Sequence, residues 1–115
     1  LRGRRSTCHW QAIDFLPAFG AIVTRERMCV DGNIFTAGGV TSGIDMALKV
    51  VAMLMGEEAA KQIQLQIEYD PKPPFPGGTP LTSEPSVVEK CLAATQARRA
   101  LRASAVGEAA LRMPA

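Results

Sequence analysis

The sequence has 115 residues, 47% of them apolar and 21% charged, with 13 Lys and Arg against 11 Asp and Glu and a formal net charge of +2. That composition is ordinary for a single globular domain, and the charge is too balanced to mark a nucleic-acid binder. No apolar run approaches the roughly 20 residues of a membrane helix, and no signal peptide follows the basic start LRGRR.

Cysteines stand only at positions 8, 29 and 91, and His9 is the single histidine. Neither a disulfide framework nor a zinc-ligand pattern can be built from these, so a reducing, cytoplasmic compartment with no metal and no cofactor is expected.

In chain order, residues 4–8 read as a short buried strand ending near Cys8 or His9. Trp10, Ile13, Leu16 and Phe19 then recur at steps of three, which predicts a short helix with one apolar face, limited by Pro17 and ended by Gly20. The stretch 21–39 reads as β structure. Asp31-Gly32 is a strong turn signal that predicts strands of about 27–30 and 33–37, and Gly38-Gly39 breaks the second.

The clearest helix follows. Ser42 is placed to cap it, and Asp45 to set its charge against the helix N-terminus. Ile44, Leu48, Val51 and Met55 form one apolar stripe, and Gly56 stops it. A second helix runs from Glu57 to about 66. The stretch DPKPPFPGGTP, 70–80, has five prolines and two glycines and predicts irregular chain. From Ser83 a last helix is expected. Val87, Val88, Cys91, Leu92 and Thr95 make its face, Arg98, Arg99 and Arg102 its basic end, and fraying follows Gly107. The order strand, helix, hairpin, helices suits an α/β layer architecture, with residues 81–115 as a C-terminal helical extension.

Two features hold candidate chemistry. His9 follows a strand, where ligand sites gather in open α/β sheets; it reads either as a site imidazole or as a structural residue. Cys8 precedes it directly, but adjacent strand residues face opposite ways, so Cys8 reads as an inert core thiol rather than a partner of the imidazole. Cys29 and Cys91 read as packing residues. Gly38, Gly39, Val40 and Thr41 either line a pocket with main-chain N–H groups at a helix N-terminus or make a plain turn and cap. The turn matches no nucleotide-binding motif. Trp10 reads as core, and most acidic residues as solvated.

The segments STCHW (6–10), VDGNIFTAGGVTSGIDMALKVV (30–51) and GEEAAKQIQLQIEYDPKPPF (56–75) together resemble the ThiJ/PfpI family of class I glutamine amidotransferase-like proteins, and within it the isonitrile hydratases. The resemblance covers residues 1–80. It implies the C-terminal part of a flavodoxin-like three-layer α/β/α sandwich, a homodimer of the whole protein and a small-molecule substrate. It also implies a cysteine nucleophile on a strand-to-helix elbow, with His9 close by. Cys8 falls where relatives commonly carry threonine.

The elbow cysteine and an acidic site residue are expected upstream of Leu1, on a complementary N-terminal half that is a separate chain or was removed. Residues 1–115 alone are then expected to be inactive. The function expected for the assembled protein is hydration of an isonitrile to an N-substituted formamide. The T-x-H-W and A-G-V-x-x-G-I-D segments are similar to those of AraC-type regulators, and a chaperone or deglycase-like stress protein with the same fold is a third reading. About 35 residues follow the proline-rich stretch, too few for the two helix-turn-helix units of such a regulator.

Overall fold

A computed structural model of the chain describes residues 1–113. Strand β1 (Arg5–Ser6) pairs in parallel with β2 (Ile22–Val23), with Arg5 opposite Ile22 and Ser6 opposite Val23. The strand is shorter than the sequence predicts, because the chain leaves the ladder at Thr7.

Between β1 and β2 lies a 3₁₀ helix, Ile13–Phe19. Its turn is three residues, the same step at which Trp10, Ile13, Leu16 and Phe19 recur. Ile13 points inward and is buried. The N–H of Gly20 closes the helix on the carbonyls of Leu16 and Pro17.

The hairpin forms as predicted, displaced by one residue: β3 (Met28–Asp31) pairs antiparallel with β4 (Ile34–Ala37). Asp31 lies opposite Ile34, so the loop is Gly32-Asn33. Gly32 has φ +61°, the left-handed conformation that the first loop residue of a type II′ turn requires. Cys29 on β3 is 2% exposed and forms part of the small core, as a packing residue.

Helix α1 (Val40–Met55) starts three residues earlier than expected, with Gly39 in place of Ser42 as its N-cap. Ser42 is therefore inside the first turn, buried, and its hydroxyl donates back to the Gly39 carbonyl at 3.0 Å. Asp45 is too far along to face the N-terminus and pairs elsewhere. Gly56 both ends α1 and begins α2 (Glu57–Gln66), which packs on α1 and buries Ala60. The predicted stripe on α1 runs out at its end, where Met55 is exposed.

Residues 70–84 form neither helix nor strand. Helix α3 (Pro85–Leu111) begins with proline at its first turn, where the missing N–H costs nothing. It passes through Gly107 without a break, contrary to the expected fraying; the last two residues of that expectation, 114 and 115, lie outside the described residues. Arg98, Arg99 and Arg102 thus sit in mid-helix instead of at its end. Inside the helix a glycine costs only about 1 kcal/mol against alanine, less than its neighbours return.

The fold is α/β, with helices on short ladders, but it buries little. Among the described residues Ile13, Cys29 and Ala60 make the buried apolar core. The accessible surface is 8474 Å², whereas a compact 12.3 kDa monomer would expose about 6,100 Å². The radius of gyration is 16.6 Å against about 13 Å for a compact chain of this length. Met53, Leu54 and Met55 on α1, Leu65 and Ile67 after it, and Leu101 and Leu111 on α3 are all exposed.

Residues 1–115 produced alone are therefore expected to associate or to melt without a sharp transition. Sedimentation and calorimetry check this, and a monodisperse monomer with one cooperative transition would contradict it.

Candidate functional site

His9 stands three residues beyond β1, in a segment with no ladder bonds of its own. The main chain turns at once, the Ala12 N–H donating to the His9 carbonyl at 2.8 Å. The imidazole is exposed and stacks on Trp10, with ring centroids 5.8 Å apart and planes inclined by 30°. Its Nδ1 accepts the Gln11 N–H at 3.2 Å. Trp10 is half-buried and supports the imidazole, not a deep core.

Two bonds bring this segment to the hairpin. The Thr7 N–H donates to Thr36 Oγ1 at 3.0 Å, and Thr7 Oγ1 donates to the Glu26 carbonyl at 3.0 Å. Because β4 runs directly from Thr36 into the Gly38–Thr41 turn, His9 is carried to that turn. A Cβ placed on Gly39 would lie 3.7 Å from His9 Cδ2, an ordinary contact. Sequence positions thirty residues apart thus form one surface.

The turn itself is uneven. The Gly38 N–H is committed to the Arg27 carbonyl at 3.1 Å. No side chain caps α1 among the described residues, which leaves the first-turn N–H groups from Gly39 onward without a side-chain acceptor. The Val40 side chain points to solvent. Gly38 is tightly seated: a Cβ there would meet Ser42 Oγ at 3.0 Å, close enough that the serine would have to give way.

A third group holds the turn in place, and sequence reasoning did not foresee it. Asp45 on α1 accepts from Arg27 Nε at 2.7 Å and from the Tyr69 hydroxyl at 2.5 Å, and the same hydroxyl lies 3.1 Å from the Thr41 carbonyl. The signal was present: Asp45 ends T-S-G-I-D and Tyr69 stands in E-Y-D-P, two of the segments that carry the family resemblance. The Tyr69 hydrogen bond holds the Asp45 carboxyl below its ordinary range against a lesser desolvation effect, with Arg27 adding its hydrogen bond and charge. Tyr69 is correspondingly raised, chiefly by its bond to Asp45.

Cys8 bonds to the main chain of His9, not to its ring. Its Sγ donates to the His9 carbonyl at 3.6 Å. Burial, then the charge of Asp14, pushes its thiol up, away from the thiolate a nucleophile needs. Strand alternation does not act on this pair, because β1 ends at Ser6, before both residues. Most of the acidic residues are exposed, as expected: Asp14 pairs with Arg25 and Arg99 at the surface, and the half-buried Asp31 accepts the Arg5 N–H at 2.8 Å. Among the described residues no three His, Cys, Asp or Glu side chains gather as a metal site, and no helix is long and apolar enough to cross a membrane.

Residues 1–53 match the DJ-1/PfpI family. The chain is 48% identical over 90 residues to an isonitrile hydratase of Pseudomonas putida, a match that takes in 78% of this chain and 40% of that protein. It is 40% identical over 68 residues to the HTH-type transcriptional regulator CdhR of Pseudomonas aeruginosa, over 57% of this chain and 20% of the regulator. The crystal structure of a ThiJ/PfpI family protein from Pseudomonas syringae superimposes with a TM-score of 0.83 and 38% identity, over 93% of this chain and 44% of that one. The chain spans less than half the length of each of these proteins.

Gly38→Ala is expected to displace Ser42 and destabilise the full chain by about 1–3 kcal/mol, whereas Gly39→Ala is tolerated and adding Ser42→Ala to Gly38→Ala restores part of the loss. Denaturant midpoints check the three variants. A depressed carboxylate stabilises above its unfolded pKa, near 3.9, and loses that contribution as pH falls through the lower folded value. Asp45→Asn should therefore flatten the loss of stability below about pH 4. The effect is under about 1 kcal/mol because the pair is partly exposed. Unfolding curves at pH 7 and pH 3 that differ equally in both proteins would rule this out.

Proposed function

We propose, for a chain whose residues 1–53 are DJ-1/PfpI family sequence, that it forms the carboxyl-side part of a cysteine-dependent hydratase acting on isonitriles. The observation that carries this reading is the seating of His9 against the uncapped start of α1, in a chain 48% identical to an isonitrile hydratase.

The chemistry asks little of residues 1–115 beyond polar support. A cysteine thiolate supplied from outside them attacks the terminal carbon of R–N≡C. That carbon takes a proton to give the thioimidate R–N=CH–S. Water adds at the same carbon, the sulfur leaves as thiolate, and R–NH–CHO departs. One isonitrile and one water are consumed. His9 positions water or supports the sulfur centre, and the main-chain N–H groups of Gly39, Val40 and Thr41 face developing negative charge at the positive end of the α1 dipole. Gly38 shapes the turn.

The missing cysteine and acidic residue come, in this reading, from a complementary N-terminal half, in a cytoplasmic protein that forms a homodimer. The surface in excess of a compact monomer, about 2,400 Å², supports this. It is about three times what one partner contributes to a standard protein interface, as expected of a divided domain. A second, regulatory reading has the weaker CdhR match behind it, and DNA binding by the full-length protein would select it.

Full-length protein given cyclohexyl isonitrile is expected to release the N-substituted formamide, measured by NMR. His9→Ala should lower kcat by about tenfold or more, and Cys8→Ser or Cys8→Thr should leave it largely intact. No turnover by intact protein would end the hydratase reading.

A further inference from the structure

We propose that Gln11 is a positioning residue that couples helix α3 to His9 and sets which imidazole nitrogen carries the proton. This rests on the reading of His9 as a site residue.

A neutral imidazole has one N–H and one lone pair. The Gln11 N–H donates to Nδ1 at 3.2 Å, so that nitrogen keeps its lone pair and the proton sits on Nε2. The ring atom closest to the Gly39 position is Cδ2, which is bonded to Nε2. The protonated edge of His9 is therefore the edge turned to the start of α1. In its neutral form His9 offers a hydrogen-bond donor there, suited to hold a water oxygen or a developing anion, and not a lone pair that could deprotonate a thiol.

The residue that dictates this is itself held from far along the chain. Gln11 lies in the turn after His9, outside any ladder. Its Nε2 donates to Thr95 Oγ1 at 3.0 Å and lies 3.5 Å from Cys91 Sγ. The Thr95 hydroxyl spends its proton on the Cys91 carbonyl at 2.8 Å, which leaves its lone pairs for Gln11. One turn further, Arg99 pairs with Asp14 at 3.1 Å and lies over the Phe15 ring at 5.8 Å. Residues 91, 95 and 99 fall on one helix face at steps of four. Helix α3 thus grips the segment 11–15 just beyond His9. The part of the chain that reads as an appendage is the brace of the candidate site.

Residues 1–115 have a single histidine, so ¹⁵N-histidine labelling of the full-length protein, with His9→Gln as the control that assigns the His9 signals, reads the ring. The neutral ring is expected to show Nδ1 as the unprotonated nitrogen and Nε2 as the protonated one. Thr95→Val should speed exchange of the Gln11 amide by roughly five- to tenfold, the factor for loss of one ordinary hydrogen bond, and should let the two tautomers average. Thr95→Ser, which keeps the hydroxyl, should behave as wild type. Gln11→Met breaks the same bond from the other side and serves if Thr95→Val fails to fold. In an active protein Thr95→Val lowers kcat with little change in KM, and Thr95→Ser restores it. A proton on Nδ1 in the wild type, or wild-type Gln11 exchange in both Thr95→Val and Gln11→Met, would overturn the proposal. Full activity of His9→Ala with the spectra as expected would instead reject His9 as a site residue and leave the coupling standing.

Discussion

Strand β1 is the member on which everything else is hung, although its ladder spans only Arg5 and Ser6. Residues of a strand present their polar main-chain groups alternately to its two edges. The carbonyls of Arg4 and Ser6 accept from Ile22 and Thr24 on the β2 side. The N–H groups of Arg5 and Thr7 turn the other way and find side chains, Asp31 and Thr36 of the hairpin. Two side-chain oxygens thus do the joining that a continuous sheet would do with main-chain carbonyls. They set the distance between His9, at the end of one segment, and the Gly38–Thr41 turn, at the end of another.

That arrangement works with little burial behind it. The hydrophobic effect scales with apolar area removed from water, and this chain removes little of it. Polar links therefore do a larger share of the local positioning than in a compact domain: Thr7 to the hairpin, Arg27 and Tyr69 to Asp45, Gln11 and Asp14 to α3. Each is individually modest in water, of the order of 1 kcal/mol. Their value here is directional. Each ties one segment to another in a fixed direction, which area alone does not do.

Local rules carried well where the cause was local. The three-residue step of Trp10, Ile13, Leu16 and Phe19 is the period of the 3₁₀ helix that formed, and a glycine with left-handed φ made the hairpin at 32. Gly56 ended α1 where expected. The misjudged points had non-local causes. Ser42 looked like a cap because it precedes an apolar stripe, but Gly38-Gly39 let the helix begin earlier and pulled Ser42 inside. Asp45 looked like a dipole partner until Arg27 and Tyr69, from two other elements, claimed it. Gly107 looked like an end, and helix propensity on both sides carried the chain past it.

The residue types at the candidate site were legible from the sequence: a lone histidine after a strand, a glycine-rich turn before a helix, and segments in concert that resemble one family. Spacing and turn chemistry are written in neighbours, so they can be read without coordinates. What tertiary structure alone decided is which edge of the His9 ring faces the turn, that Tyr69 and Arg27 meet on Asp45, and that α3 reaches back to Gln11. These depend on contacts across up to 84 positions of chain, set by the path of the backbone between them, and no local pattern encodes that path.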